Sequence, residues 1–240
     1  MDIRKKSNPV QEDQTTETTT ESSQENVSDQ TFVLIDRANQ RRKVDNFIKH
    51  GTILHNNRNN TKTQMVNVER IMIDIGDLDL SKSEAVQKHA ERKMVSISKH
   101  LCGVATDLTL ACLENFNIQL PNKNDAVFIA LCCHHKCSWE HYVNRPFLLE
   151  NGINEVDFRV MILLTSFATC QFTKLTNKQS CEDYGLTDEE KETIGFKAKR
   201  ILDLGRLLYL KSKSQYKTIK LAYYCQKEAS LENCMLICHN

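Results

Sequence analysis

Short apolar runs recur along the chain from residue 31 onward, and each is followed by a longer segment of mixed polarity. Continuous apolar runs of this length are typical of strands buried on both faces of a parallel sheet. Four such strands are predicted, at residues 32–35, 69–75, 94–98 and 126–132. Two later strands, at residues 218–225 and 234–238, are joined by eight polar-rich residues and predict an antiparallel hairpin.

The segments between these strands have helical character. Helices are predicted at residues 39–49, 106–116, 155–170 and 188–210. Either Thr106 or Asp107 is suited to cap the second helix. In the last helix, apolar residues recur along one face. Strands that alternate with helices imply a parallel sheet with helices on both faces, so the pattern predicts an α/β, Rossmann-like domain.

The end of the chain refines this fold class. An antiparallel hairpin after a parallel sheet is the variation found in class I methyltransferases, whereas flavin and nicotinamide folds of the same general type usually lack it. We therefore predict a Rossmann-like class I methyltransferase sheet over residues 31–240, mostly parallel with a C-terminal antiparallel hairpin. Residues 1–30 are rich in Ser, Thr, Gln and Glu and nearly free of apolar side chains. They are predicted to form a disordered polar tail, because they cannot bury enough surface to offset chain entropy.

Composition bears on the cellular location of the protein and on the class of its partner. No apolar run near the start resembles a signal peptide, and the longest apolar stretch, residues 160–170, is too short to span a bilayer. We expect an intracellular protein, cytoplasmic or nuclear, whose ten cysteines are reduced thiols. The first thirty residues hold three basic and seven acidic side chains, so their net charge is −4. Since the whole chain has a net charge of +1, the remaining residues carry +5. That charge is compatible with an RNA partner but does not identify one.

Polar side chains follow the predicted strands at the edge where open parallel sheets bind ligands. Asp36 is placed to accept hydrogen bonds from two ribose hydroxyls of a nucleotide-like cofactor, and Asp77 suits the exocyclic amine of an adenine. The alternative for Asp36 is an ordinary turn-capping aspartate. Asp77 has the same alternative. In addition, Asp74 and Asp79 lie close to it in sequence, so the pattern does not single out Asp77 among the three.

The segment from Ser98 to Gly103 leaves a central strand with a lysine, a histidine and a glycine. We predict His100 and Lys99 as catalytic residues, with His100 taking a proton from a hydroxyl or orienting that hydroxyl for in-line attack on a methyl group. The alternative is a histidine that is bonded to the backbone in a tight loop.

The segment from Cys132 to Cys137 contains five potential soft or imidazole ligands in six residues. A zinc site there is one interpretation. Against it, Cys132 and Cys133 leave a strand, so their side chains are expected to point to opposite faces. A loop that faces cofactor or substrate is favoured, and no metal ligand is assigned. A thiolate–imidazole nucleophile is a further, weaker alternative.

At these residues the chain resembles a known family. The segments Ser98–Asp107 and Ala130–His135 are similar to the methyltransferase domain of the eukaryotic tRNA:m(4)X modification enzymes, as are residues 33–39, 70–75 and 203–206. The resemblance covers about residues 31–240. It implies transfer of a methyl group from S-adenosylmethionine to the 2′-hydroxyl of nucleotide 4 in the tRNA acceptor stem.

The resemblance also implies roles for individual residues. The donor would contact side chains at the strand ends, namely Asp36, Asp77, Ser98 and Cys133. The RNA would contact His134, His135 and Arg37, although an arginine in a charged segment is more often simply solvated. We expect tRNA as the partner, with no membrane, no DNA and no identified protein partner.

The chain departs from the family pattern in two respects. Family members carry zinc-binding modules and then a strand with a glycine-rich loop for the donor, whereas none of the seven glycines here is spaced as Gly-x-Gly. The missing strand would lie between the strand that ends at Asp36 and the one that ends at Ser98. We therefore expect an N-terminally incomplete domain. The alternatives are an inactive remnant that binds RNA or protein, and a zinc-binding interaction module.

Overall fold

The computed structural model describes residues 31–38, 67–169 and 185–240. The predicted tail at 1–30 and the predicted helix at 39–49 lie outside these residues. The described strands are β1 Thr31–Asp36, β2 Asn67–Met72, β3 Met94–Lys99, β4 Asn124–Ala130, β5 Thr218–Tyr223 and β6 Cys234–His239. The described α-helices are α1 Glu84–Gln87, α2 Val104–Gln119, α3 Arg145–Glu150, α4 Glu155–Leu164 and α5 Asp188–Lys213.

The strands form two groups. β1 and β2 pair in parallel. The other four form one sheet in the order β3-β4-β6-β5, in which β3 and β4 are parallel and β6 is antiparallel to both of its neighbours. The α/β class and the C-terminal hairpin are thus confirmed, and each predicted strand is present with its ends shifted by a few residues.

The division between the two groups falls where the sequence analysis expects a missing strand. Among the described strands, β1 pairs only with β2, and β3 pairs only with β4. Each therefore has one edge of N–H and C=O groups without a strand partner in the described part of the chain, which is a template for a further strand. One face of β3 is also open, since Val95 and Ile97 are 54% and 76% exposed. The prediction of helices on both faces does not hold there within the described residues.

Two apolar clusters hold the described elements together. In the first, strand residues such as Ile129 and Leu236 pack against Leu110 of α2 and Leu210 of α5. In the second, Phe158 of α4 and other buried side chains pack against a different stretch of α5. Because α5 contributes to both clusters, it connects the helix α4 of the second cluster to the sheet of the first.

Two predicted helix boundaries are wrong. Neither Thr106 nor Asp107 caps α2, because the helix already begins at Val104 and its N-cap is Gly103. Thr106 instead donates its hydroxyl proton to the carbonyl of Leu101. The helix predicted at 155–170 ends as an α-helix at Leu164 and continues as a 3₁₀ turn, Thr165–Ala168; residue 170 lies outside the described part of the chain.

Capping explains where the longer helices start. The hydroxyl oxygen of Thr187 accepts a hydrogen bond from the amide of Glu190, and the amide of Thr187 donates one to the Glu190 carboxylate. This reciprocal capping box starts α5. Asn154 and Asp157 start α4 in the same way. Within the described ranges, none of the helices is both long enough and apolar enough to cross a membrane.

Candidate functional site

The first part of the site is formed by the last residue of β3 and the loop that follows it, residues 99–103, here called the first loop. His100 and Gly103 both have positive φ, at 65° and 58°, so the backbone turns sharply between the strand and α2. The side chains of Lys99 and His100 are exposed. Ser98, at the end of the strand, has a buried hydroxyl oxygen without a hydrogen-bond partner among the described residues.

The second part is the loop after β4, residues 131–137, here called the second loop. The amide of Leu131 still donates to Cys234 of β6. Cys133 then adopts a left-handed conformation with φ of 49°, and its amide donates to Glu232 Oε1 at 2.9 Å. His134–Lys136 form a short 3₁₀ turn. The loop is thus attached to the β5–β6 hairpin on one side.

The two loops are in direct contact. A Cβ atom placed on Gly103 would overlap the backbone carbonyl group of Lys136, so only a glycine allows this approach. Beside that contact, Cys102 Sγ lies 3.2 Å from Cys133 Sγ and 3.9 Å from Cys132 Sγ. The loops predicted from sequence to carry the chemistry are therefore adjacent at the carboxyl ends of β3 and β4.

The expectation that Cys132 and Cys133 point to opposite faces is wrong. The strand ends at Ala130, two residues earlier than predicted. The left-handed turn at Cys133 then brings its thiol to the same side as that of Cys132, and both lie within 4.8 Å of Cys102. Alternation applies only inside a strand, so it does not govern this pair.

His134 is the most buried predicted site residue in the second loop. Its ring is 1% exposed, and Nε2 lies 2.7 Å from Asp203 Oδ1 of α5. Burial lowers the pKa of His134 although Asp203 opposes that change. Burial alone would raise the pKa of Asp203, but His134, Arg200 and Arg206 together lower it to about 2. A neutral imidazole that donates Nε2–H to an ionised carboxylate satisfies both directions.

This pair belongs to a buried ionic network that the sequence analysis did not predict. Arg206 donates to Asp203 Oδ1 at 3.3 Å, to both carboxylate oxygens of Asp107, and to Cys137 Sγ at 3.1 Å. Burial disfavours the charge on Arg206, but Asp107 and its other neighbours raise its pKa well above the usual value. The signal in the sequence was an Asp and an Arg three residues apart in the apolar region of a helix.

The network positions the second loop. His134 begins the 3₁₀ turn and Cys137 directly follows it, and both contact the network on α5. His135 lies between them and is exposed. Of the two histidines predicted to contact substrate, only His135 therefore has an accessible ring.

The cysteines are not activated as nucleophiles. Burial raises the pKa of Cys133 to about 11, and the hydrogen bond with Cys102 acts in the same direction. Burial also raises the pKa of Cys132. An activated cysteine needs the opposite shift, and the buried imidazole in the same loop, that of His134, is bonded to Asp203. None of the eight described cysteines forms a disulfide.

Two of the residues predicted to contact the methyl donor, Asp36 and Asp77, lie near the ends of β1 and β2. Asp36 accepts from the amide of Ala38 at 3.1 Å and lies 3.6 Å from Arg70, so it also makes the turn-capping contact of the simpler interpretation. The Arg37 side chain is 81% exposed, with Asp74 at 3.8 Å. The turn after β2 is stabilised by Asp74 rather than by Asp77, because the carboxylate of Asp74 accepts a hydrogen bond from the amide of Gly76. Asp77 is exposed.

Comparison with known proteins identifies the family. The profile of the family described as methyltransferase TRM13 matches residues 11–239. The chain belongs to the TRM13 methyltransferase family. No solved structure matches the chain.

Its relatives include proteins from yeasts and mammals. The tRNA:m(4)X modification enzyme TRM13 of Saccharomyces cerevisiae is 36% identical over 234 residues, which are 86% of this chain and 49% of the relative. The enzyme of the same name from Schizosaccharomyces pombe is 36% identical, with 91% of this chain and 56% of the relative covered. The Homo sapiens homolog is 28% identical, with 85% and 53% covered. The chain thus spans about half the length of the TRM13 relatives it matches.

Proposed function

We propose that this chain provides the methyltransferase domain of a tRNA 2′-O-methyltransferase. Its acceptor would be the 2′-hydroxyl of nucleotide 4 in the acceptor stem, and its methyl donor S-adenosylmethionine. The observation that carries the proposal is the TRM13 family match over residues 11–239. The names of the relatives, tRNA modification enzymes, support tRNA as the partner. An RNA substrate of this kind implies an intracellular setting, in the cytoplasm or the nucleus.

The described residues fit part of the donor. The unpartnered hydroxyl of Ser98 at the end of β3 is a buried polar group that a ligand at this edge would satisfy. We assign Asp36, the last residue of β1, to the ribose hydroxyls of the donor. Asp77 and Cys133, which lie in the segments that follow β2 and β4, are assigned to the same donor. When bound, S-adenosylmethionine supplies a methyl group on a positively charged sulfur, which is the electrophile of the transfer.

The first loop would act on the acceptor. We assign His100 to hold the ribose hydroxyl and accept its proton, and Lys99 to stabilise negative charge on the oxygen or on an adjacent phosphate. Both side chains are exposed at the carboxyl end of β3. His135 and Arg37, also exposed, are assigned to the RNA backbone. His134 has a positioning role instead, because its buried ring bonds to Asp203.

Completion of the sheet is part of the proposal. The unpaired edges of β1 and β3 fit a further parallel strand between them, and in the family that strand carries the glycine-rich loop for the donor. The alternative function is an inactive domain that binds RNA or protein. The open face of β3, with Ile97 76% exposed, favours that alternative for this chain by itself.

Donor binding separates the two functions. Under the proposed function, isothermal titration calorimetry of the chain with S-adenosylmethionine shows saturable binding that Asp36→Ala weakens. As a matched control, Asp125→Ala removes a half-exposed carboxylate near the start of β4, at the end of the strand away from the two loops, and it should leave the affinity unchanged. Absence of binding would support the inactive alternative.

Methyl transfer is the second test. Radiolabelled S-adenosylmethionine and a tRNA transcript are incubated with the chain, and the modified position is mapped by its resistance to alkaline hydrolysis. A transcript with a 2′-deoxyribose at nucleotide 4 should accept no methyl group, because the nucleophilic hydroxyl is absent. Equal labelling of both transcripts would exclude the proposed acceptor.

A further inference from the structure

Three thiols from two separate loops converge beside the predicted active-site edge. The sulfur atoms of Cys102, Cys132 and Cys133 all lie within 4.8 Å of one another. Cys102 comes from the first loop, and the other two come from the second. Within the described residues, no other group of three or more Cys, His, Asp or Glu side chains has its ligand atoms this close together.

The spacing of the sulfurs is close to that of a metal site. A tetrahedral zinc ion with Zn–S bonds of about 2.3 Å holds its thiolates about 3.8 Å apart. The Cys102–Cys132 separation is 3.9 Å, and the Cys102–Cys133 separation of 3.2 Å has to widen by about half an ångström when the ion binds. A disulfide needs a sulfur separation of about 2.05 Å, so neither pair has that geometry.

The surrounding structure holds the ligand positions from outside. Cys133 keeps a left-handed backbone that non-glycine residues seldom adopt, and its amide is bonded to Glu232. The next residue, His134, is anchored to Asp203. On the other loop, Gly103 packs against the backbone of Lys136 and fixes the position of Cys102. Such support outside the ligands is typical of built metal sites.

We infer that Cys102, Cys132 and Cys133 bind one zinc ion, whose fourth position is open to solvent. Thiolates favour zinc over the hard cations magnesium and calcium, which take oxygen ligands. Cys132 is buried, whereas Cys102 and Cys133 are partly exposed, so the open position faces outward. The ion ties the first loop to the second loop and thereby fixes the loop that carries His100. Under the proposed function Cys133 is also assigned to the donor, so the zinc site adjoins the donor site. The zinc inference itself rests on the geometry of the three cysteines and does not depend on the proposed function.

Metal content tests the inference directly. The full chain is purified under reducing conditions, and its zinc is measured by mass spectrometry. We expect about one zinc per chain, and replacement by Co²⁺ should give the thiolate-to-cobalt charge-transfer band and the intense visible bands of a tetrahedral site. The double variant Cys102→Ser/Cys133→Ser should lose both the zinc and the cobalt spectrum.

A matched cysteine variant controls for general loss of thiols. Cys112 is buried in α2, and its thiol bonds to the carbonyl of Leu78 rather than to the cluster. Cys112→Ser should retain the zinc and the cobalt spectrum. Circular dichroism of each variant establishes that it is folded, and native mass spectrometry of the wild-type chain gives the metal stoichiometry without any variant.

Three results would overturn the site. The first is a folded wild-type chain with far less than stoichiometric zinc after incubation with zinc under reducing conditions. The second is zinc that remains in the folded double variant. The third is a Cys102–Cys133 disulfide in chain prepared with zinc and without oxidant. None of these measurements uses S-adenosylmethionine or tRNA, so failure of the zinc site and failure of the methyl transfer are distinguishable.

Discussion

Arg206 donates two hydrogen bonds to the carboxylate of Asp107, from Nε to Oδ1 at 3.1 Å and from Nη2 to Oδ2 at 2.7 Å. Their side chains are 1% and 0% exposed, so the pair is almost completely removed from water. The two bonds join the first turn of α2 to the C-terminal half of α5. Since α2 follows the first loop directly and the same guanidinium contacts Cys137, this one arginine holds both loops in place.

Loss of that arginine should be costly. Arg206→Met would leave two buried carboxylates, Asp107 and Asp203, without their shared cation, and we expect the free energy of unfolding to fall by about 3–5 kcal/mol. Urea unfolding followed by circular dichroism measures the change. Arg159→Met is the control, because its pair with Glu155 lies on the surface and contributes little. Equal losses in the two variants would contradict the buried network.

The contact between the two loops predicts an unequal response at two glycines. Gly103 and Gly152 both have positive φ, but an added Cβ overlaps the backbone of Lys136 at Gly103 and meets nothing within 4 Å at Gly152. Gly152→Ala should therefore cost only the conformational penalty of about 1–2 kcal/mol. Gly103→Ala should cost clearly more and should perturb the loop as well. Thermal unfolding compares the two, and similar melting temperatures would show that the loops are not closely packed.

The lowered pKa of Asp203 makes part of the free energy of unfolding depend on pH in the acid range. Its pKa is lowered to about 2 in the folded chain, below the value of about 3.9 for an unfolded aspartate. The contribution is therefore complete above about pH 4 and is lost as the pH falls toward 2, with a size on the order of 2 kcal/mol. Asp203→Asn should be less stable than the wild-type chain at pH 7, and the difference should narrow below pH 4. A difference that does not change with pH would show that Asp203 is not ionised in the folded state.

Replacing His100 should lower the rate of methyl transfer without lowering the stability of the fold. Under the proposed function, His100→Ala removes the proton acceptor, and kcat for methyl transfer should fall about 100-fold. The side chain is exposed, so thermal unfolding should be unchanged. His141→Ala, which removes another exposed histidine, one that bonds to Ser138, should keep full activity. A rise in KM with unchanged kcat would assign His100 to substrate binding instead.

The sequence by itself determined the order and type of the elements. Continuous apolar runs such as the one in β4 can be buried only in an internal strand, and the regular spacing along α5 can be satisfied only by a helix. The motifs in the two loops were also enough for the family, because the Lys-His-Leu-Cys-Gly and Cys-Cys-His-His segments are distinctive in that order. Helix starts were less predictable. Asp107 does not take the capping role expected of it, because the helix already begins at Val104; its carboxylate bonds to Arg206 instead.

Only the tertiary structure decided which side chains meet. Cys102 and Cys133 are far apart in sequence, and their contact depends on the parallel pairing of β3 with β4 and on the left-handed turn at Cys133. In the same way, the burial of His134 depends on α5 bringing Asp203 against the second loop. Local patterns report the burial of a face and the period of an element. They do not report the partner across a long loop, because that partner is selected by packing of the whole domain.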